Sequence, residues 1–470
     1  MKKTYHYFIC LAVLSFFGCK KDLGNYSYTP PSEPVLEAFS DSTFNALVGD
    51  SLILAPKISL ADGEPLKDLL FTWEILVEEE ARADIHTGYP LKVLYNLSPK
   101  LRSAKLTIED QRNGMKYFYR FFILGQTQFS LGQIVLTEDE GTTRLTFIKP
   151  DGTMLPNLYY NLHQEHLPNS VVQLFSKPLA YQAGTTEDLW VVSNNPEEES
   201  VIINGNTMLR KKYFSEHFFN PPTSITPGRF EASQGLTTGV INGKLYLSIS
   251  STAPFAPDFG KFSSPQPGDY TLSEHFMRGS SYFFGYDKAH QAFVSFSGGG
   301  DFMASDYMVE GDAFNPKNTG LSNLLFMQAT PGPSYAFFKE AGTITELSFG
   351  LEMDDYANRK LTVSTKRPFK GAAFQRDNSK WQKSPTNVFY FTSDDKIYRY
   401  NPINEDLRAL DADFTGKEVS MIKLSSDGKT LSAGTDGTLY SLDVSVGENG
   451  RIIKTVSGLE GSPIDIVIRE

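Results

Sequence analysis

The sequence predicts an all-β protein: an immunoglobulin-like sandwich followed by a β-propeller of about seven blades. Three observations carry that expectation. The composition is one of strands and turns, with 35 Phe and 23 Tyr among 37 Gly and 26 Pro in 470 residues; aromatic residues favour strands, and Gly, Pro, Asn and Ser favour turns. Beyond the first twenty residues no long segment repeats its apolar positions at the helical period of about 3.6 residues. From residue 130 onward, strand-rich segments recur at intervals near the roughly 40–50 residues of a propeller blade.

The N-terminus reads as processing. Lys2 and Lys3 precede an uncharged apolar run, FICLAVLSFF, and small Gly18 stands directly before Cys19. That is a signal peptide over residues 1–18, too short to span a bilayer, which takes roughly 20 apolar residues. A cysteine directly after the cut resembles the lipobox of bacterial lipoproteins, although Phe16 stands where Leu is usual and Leu14 lies further back. The resemblance implies that Cys19 is lipidated and becomes the new N-terminus. Cys10, the only other cysteine, leaves with the leader. A large exported domain can bury enough core to do without disulfides. Losing Lys2 and Lys3 takes the formal charge from −11 to −13, which argues against nucleic acid and anionic headgroups as partners. Membrane contact is expected through the lipid anchor alone. The remainder of residues 19–36, with Pro30, Pro31 and Pro34, reads as a tether.

Residues 37–127 carry the sandwich pattern. ALVGDSLILAPKI and LLFTWEILV alternate as strands, and AKLTIED and MKYFYRFFI flank the turn signal QRNG. Trp73 is expected in the core between the sheets. Residues 130–470 carry the propeller pattern. Its clearest unit is SMIKLSSDGKTLSAGTDGTLYSLDV, with Asp427-Gly428, Asp436-Gly437 and Asn449-Gly450 as hairpin dipeptides. The last strand, SPIDIVIRE, is expected to close the ring on the first blade, because an open propeller leaves edges exposed.

Catalytic and metal motifs are not found, so no catalytic residue, metal or cofactor is expected. His163 and His166 of HQEH are three apart, not the four of HExxH zinc proteases. Asp411-Ala-Asp413-Phe-Thr-Gly416 lacks the distal Glu of a calcium loop and reads as a turn. There is no G-x-S-x-G, and GGGD (298–301) reads as a tight turn without a helix to receive phosphate. The runs Glu78–Glu80, Glu138–Glu140 and Glu197–Glu199 read as hydrated surface. Glycoside hydrolysis needs two converging carboxylates, which sequence alone does not display.

Binding candidates remain, each weighed against simple packing. His217 and His275 share an echoed SEHF, which suggests equivalent blade positions or coincidence. Phe255, Phe259 and Phe262 lie in the long Pro- and Ser-rich segment 251–270, and Trp381 sits in the polar stretch RDNSKWQKSPTN. Exposed rings in such loops stack on sugars or anchor protein partners.

The stretch CKKDLGNYSYTPPSEP, followed by VGDSLILAPKI and FTWEI, resembles the PKD-like family of lipoproteins over roughly residues 19–75. That family accompanies SusC/SusD-type outer-membrane importers in Gram-negative bacteria. The resemblance implies a PKD-like sandwich and an outer-membrane, lipid-anchored protein facing the cell surface. It further implies a non-enzymatic accessory or binding subunit that helps a TonB-dependent SusC-like transporter and its SusD-like lipoprotein take up oligopeptides or glycans. Lys20-Lys21-Asp22 follows the lipidation site where an acidic export signal is often found. The alternative is a propeller-type polysaccharide lyase or glycosidase at the cell surface, favoured if Asp, Glu or His converge at the propeller mouth and disfavoured by a mouth of Phe, Tyr and Ser. A third reading, adhesion through the sandwich, has no motif to carry it.

Overall fold

A computed structural model describes residues 32–180, 186–233, 235–252, 256, 258–328 and 333–469. The leader, Cys10, Cys19 and most of the tether lie outside the described residues, as does Phe255. The chain divides into two units. One takes in Ser51–Leu94 and Arg102–Ile123; the other takes in the described chain from Leu124 on, with Asn45–Asp50 and Tyr95–Leu101.

The N-terminal region is an antiparallel sandwich. Its larger sheet orders the strands Thr43–Leu47, Met115–Gln126, Leu101–Asp110, Leu69–Val77 and Arg82–Thr87. Leu69–Val77 alternates buried and open residues along its whole length, the period-two pattern of a half-buried strand. Trp73 is fully buried, as its place in that alternation predicts. It meets Phe121 edge-on at 6.0 Å, and its indole N–H donates to the Gly88 carbonyl at 2.8 Å. The run Glu78–Glu80 is more than hydrated surface. Glu79 pairs bidentately with Arg102, whose side chain is wholly buried.

From Gly132 the chain builds seven successive sheets, the blades of a β-propeller. Blade 2 is typical: Val171–Pro178, Thr186–Ser193, Val201–Asn204 and Arg210–Tyr213 run antiparallel from the axis outward. Blade 3 has three strands, Pro227–Ser233, Leu236–Ile241 and Lys244–Leu247. Blade 5 gains a parallel fifth strand, Met308–Glu310. Seven apolar cores alternate with the seven blades, one in each gap, including the gap between blades 7 and 1. The second and third strands of each blade are therefore buried on both faces. Tyr282–Asp287 of blade 4 shows this, with no exposed residue in its length.

The last strand closes the ring as the sequence predicts. Ser462–Arg469 pairs antiparallel with Gly132–Asp139 and becomes the inner strand of blade 1. Asp465 fastens it on both sides. Its carboxylate accepts the Leu174 N–H of blade 2 at 2.8 Å and the Lys423 ammonium of blade 7 at 3.0 Å. Hydrogen bonds to charged groups contribute about 1.5–3 kcal/mol each. Asp465→Ala is therefore expected to destabilise the protein by about 2–4 kcal/mol, read as a lower urea midpoint with an unchanged m-value. An unmoved midpoint would mean that the backbone ladder alone holds the ring.

Candidate functional site at the propeller axis

The inner strands of the seven blades surround an axial cavity of about 320 Å³, and every blade contributes to its wall. What shapes the wall is a run of register breaks. The pairing of inner strand to second strand shifts between Val171 and Gln173 in blade 2 and between Pro227 and Phe230 in blade 3. It shifts again between Leu272 and Phe276 in blade 4 and between Leu324 and Phe326 in blade 5. The residues within those breaks, Val172, Gly228, Arg229, Glu274, His275 and Leu325, line the cavity. A bulge leaves backbone groups out of the ladder and re-aims side chains. With the break at Ile464 in the closing strand of blade 1, five adjacent blades thus turn bulged inner-strand segments toward one space.

The bulges are held in place. The Gln173 amide bridges to blade 3, its oxygen accepting the Phe230 N–H at 3.0 Å and its nitrogen donating to the Phe230 carbonyl at 3.2 Å. The Ser273 hydroxyl donates to the His275 carbonyl at 3.0 Å. The rings of His275, Phe326 and Trp381 form a continuous pile across blades 4, 5 and 6. His275 meets Phe326 edge-on at 5.3 Å, and Phe326 stacks on Trp381 at 5.5 Å.

The electrostatics limit what this site can do. Burial pulls the His275 imidazole down to about 4, against the opposing pull of Glu274, so the ring is neutral at pH 7. Its Nε2 lies 3.4 Å from Glu274 Oε1. Two carboxylates line the cavity, Glu274 and Asp465. Asp465 is taken up by ring closure, which leaves Glu274 as the exposed acid. Arg229 and Lys380 stand in the same wall. Below Arg229, burial raises the Glu231 carboxyl while Arg229 and Arg278 oppose that rise. Hydrolysis by a carboxylate pair uses two available acids, and among the described residues this cavity offers one, Glu274. No group of His, Cys, Asp and Glu among the described residues is arranged to hold a metal.

The described binding candidates fall at different places in the propeller. Trp381 is not on an exposed loop. It starts the inner strand Trp381–Lys383 of blade 6, keeps 8% exposure, and stacks on Phe391 at 4.9 Å. Phe262 is completely buried in the core between blades 2 and 3. Its segment supplies what blade 3 lacks, since Phe262 bridges to Ser248 along the outer edge of that blade. Phe259 is half-buried in the same segment. The two SEHF segments are not equivalent. His217 sits in a single 3₁₀ turn after the outer strand of blade 2, whereas His275 lies on the inner strand of blade 4. Of the described candidates, only His275 and Trp381 line the axial cavity. His163 and Glu165 of HQEH serve blade 2: His163 Nε2 accepts the Arg210 N–H at 3.0 Å, and Glu165 pairs with the Arg210 guanidinium. Arg229, Glu274 and Gln173 were missed. The signal for Arg229 and Glu274 in sequence is the broken alternation of PGRFEAS and LSEHFMR.

With this geometry in hand, comparison with known proteins adds one assignment. Residues 19–170 match the PKD-like family. The matched region runs from Cys19 through the sandwich into the first blade. No curated protein matches. Among solved structures, the chain is similar to a quinoprotein alcohol dehydrogenase-like protein from Bacteroides thetaiotaomicron, at 11% identity and a TM-score of 0.42, covering 93% of this chain and 99% of that one. It is also similar to a periplasmic gluconolactonase of Pseudomonas aeruginosa, at 13% identity and a TM-score of 0.44, covering 72% of this chain and 99% of that one. At that identity and score, neither speaks to the chemistry of this chain.

His217 offers a direct test of packing against function. It is 3% exposed, Trp190 meets it at 4.7 Å, and neither ring nitrogen has a hydrogen-bond partner among the described residues. Burial holds its pKa well below the ordinary 6.5. The unfolded chain therefore takes up a proton below that value which the folded chain refuses. Its contribution to stability is full above pH 6.5 and falls as the pH drops. His217→Phe is expected to flatten the loss of Tm between pH 7 and pH 5, measured against the wild type by scanning calorimetry. Parallel pH profiles would show that His217 is not buried neutral. Trp381→Ala, which empties the ring pile, is expected to cost about 3–5 kcal/mol.

Proposed function

We propose that this protein is an outer-membrane lipoprotein on the cell surface, a non-enzymatic binding subunit of a SusC/SusD-type importer for oligopeptides or glycans. The observation that carries this reading is the PKD-like match, which begins at Cys19, the residue that the lipobox-like sequence marks for acylation. The axial site agrees with it. Its wall offers bulged backbone, amides and mixed charge, with one available carboxylate in place of a catalytic pair. Glu274 beside His275 is the one feature that favours the alternative, a surface lyase or glycosidase.

Co-purification and a cleavage assay separate these readings. With an affinity tag after Glu470 and Cys19 intact, extraction in mild detergent is expected to bring down a large β-barrel transporter and a SusD-like lipoprotein in stoichiometric yield. A protein that purifies alone, and cleaves a polysaccharide in an activity that Glu274→Gln abolishes, would replace the binding role with the enzymatic one. Cys19→Ser is expected to end incorporation of labelled palmitate and to release the chain from membranes. Retention of the label in that variant would move the anchor elsewhere.

A further inference from the structure

The axial wall holds charges of both signs that do not neutralise one another. Asp465 and Lys423 are bound to each other at 3.0 Å, and His275 is neutral. That leaves Arg229, Lys380 and Glu274. Among the described residues Arg229 and Lys380 enter no ion pair, and the contact of Glu274 is with the neutral His275 alone. Every Asp and Glu of the chain other than Asp22 and Glu470 is described, as is every Lys and Arg beyond Lys21. All three groups are open to a ligand. Lys380 is exposed, Arg229 is half-buried, and the Glu274 side chain is 68% exposed. A groove of about 500 Å³ adjoins the cavity, shares Gln173 and Lys423 with it and adds Arg469, but its described lining holds no carboxylate. Only the axial cavity offers both signs.

The bulges fix where these charges stand. Arg229 and Glu274 lie inside the register breaks of the inner strands of blades 3 and 4. The two strands approach so closely that a Cβ at Gly228 would come within 3.2 Å of Glu274 Cα. Lys380 stands two blades further round, beside the stacked Trp381 of blade 6. A ligand that satisfies this wall brings a cation for Glu274 and an anion for Arg229 and Lys380. A neutral glycan brings neither, and an acidic glycan brings only the anion. A peptide with free ends brings both on one short chain. Its main chain also suits the wall. A bulge leaves a residue out of the ladder, and extended peptides join sheets through main-chain hydrogen bonds. The cavity volume of about 320 Å³ is at the low end of the roughly 300–1,000 Å³ of small-ligand sites, which suits a short peptide.

We propose that the axial cavity binds short peptides with free ends, with Glu274 taking the N-terminal ammonium and Arg229 and Lys380 taking the carboxylate. The proposal rests on the binding role above and narrows its ligand from peptides or glycans to peptides. It does not depend on the importer, because affinity is measured on the purified protein.

The test is calorimetric titration of the full chain in detergent at pH 7 with trialanine, its N-acetyl form, its C-terminal amide and maltotriose. Trialanine is expected to bind, and either block to weaken it by roughly tenfold or more. Maltotriose is expected not to displace it. Glu274→Gln should weaken trialanine by a similar factor and leave the N-acetyl form unchanged. The double variant Arg229→Gln, Lys380→Gln should weaken trialanine and leave the amide unchanged. The blocked peptides need no variant, so they keep the test open if the double variant unfolds. No binding of trialanine, equal binding of its blocked forms, or displacement of trialanine by maltotriose would each overturn the proposal. Unchanged trialanine affinity in folded Glu274→Gln would overturn it too. Failure to co-purify with an importer, beside intact trialanine binding, would sink the transport role and leave this site standing.

Discussion

The antiparallel pairing of Ser462–Arg469 with Gly132–Asp139 joins the two ends of the propeller chain, and the rest of the unit rests on it. A row of seven blades has two free edges and six gaps. A closed ring has no free end and seven gaps, and here all seven are filled with apolar cores. The entropy of closing so long a loop grows only with the logarithm of its length. The gain is a complete extra core around Val135, Met421, Leu439 and Ile466. Asp465 then ties the closing strand sideways into both neighbouring blades, so that closure is also a bond across the axis wall.

Closure divides the labour within each blade. Strands sandwiched between two apolar cores cannot slip, because a one-residue slip would turn out an entire buried face. The inner strands stand beside the axis and have fewer neighbours. They can break register without emptying a core, and the five adjacent ones of blades 1 to 5 do so. Irregularity is thus confined to the place where freed backbone groups face a cavity, on a frame whose stiffness comes from elsewhere.

The same division explains what the sequence discloses. DLWVVSNNPEEESVIING and SYFFGYDKAHQAFVSF are second and third strands of their blades, buried on both faces, and their continuous apolar runs read easily. Closure by the last strand followed from edge avoidance alone. The inner strands of blades 3, 4 and 6 were not legible: PGRFEAS and LSEHFMR break their alternation at the bulges, and WQK is too short to score as a strand. The candidate site lies on those strands, so most of it was hidden. His275 and Trp381 were singled out as a histidine in an echoed motif and an indole among polar residues, and both proved to be wall residues of the axis. Phe262 and His217 stood out for similar reasons and proved to be core, because nothing local tells a ring that plugs a blade gap from one that faces solvent.

Charge is distributed against the average of the molecule. The chain is acidic overall, with a formal charge of −11. The walls of the axial cavity and adjoining groove nevertheless carry Arg229, Lys380, Lys423 and Arg469, against only Glu274 and Asp465. Screening over roughly 8 Å at physiological salt separates these two fields. The outer acids set solubility and repel polyanions at a distance, while the inner cations act only on groups that enter the cavity. A polymer of dense charge, such as nucleic acid, meets the repulsion first. A small or sparsely charged ligand, neutral over most of its length, can pass that field and reach the cavity wall. Exclusion on the outside and cations within are therefore complementary halves of one selectivity.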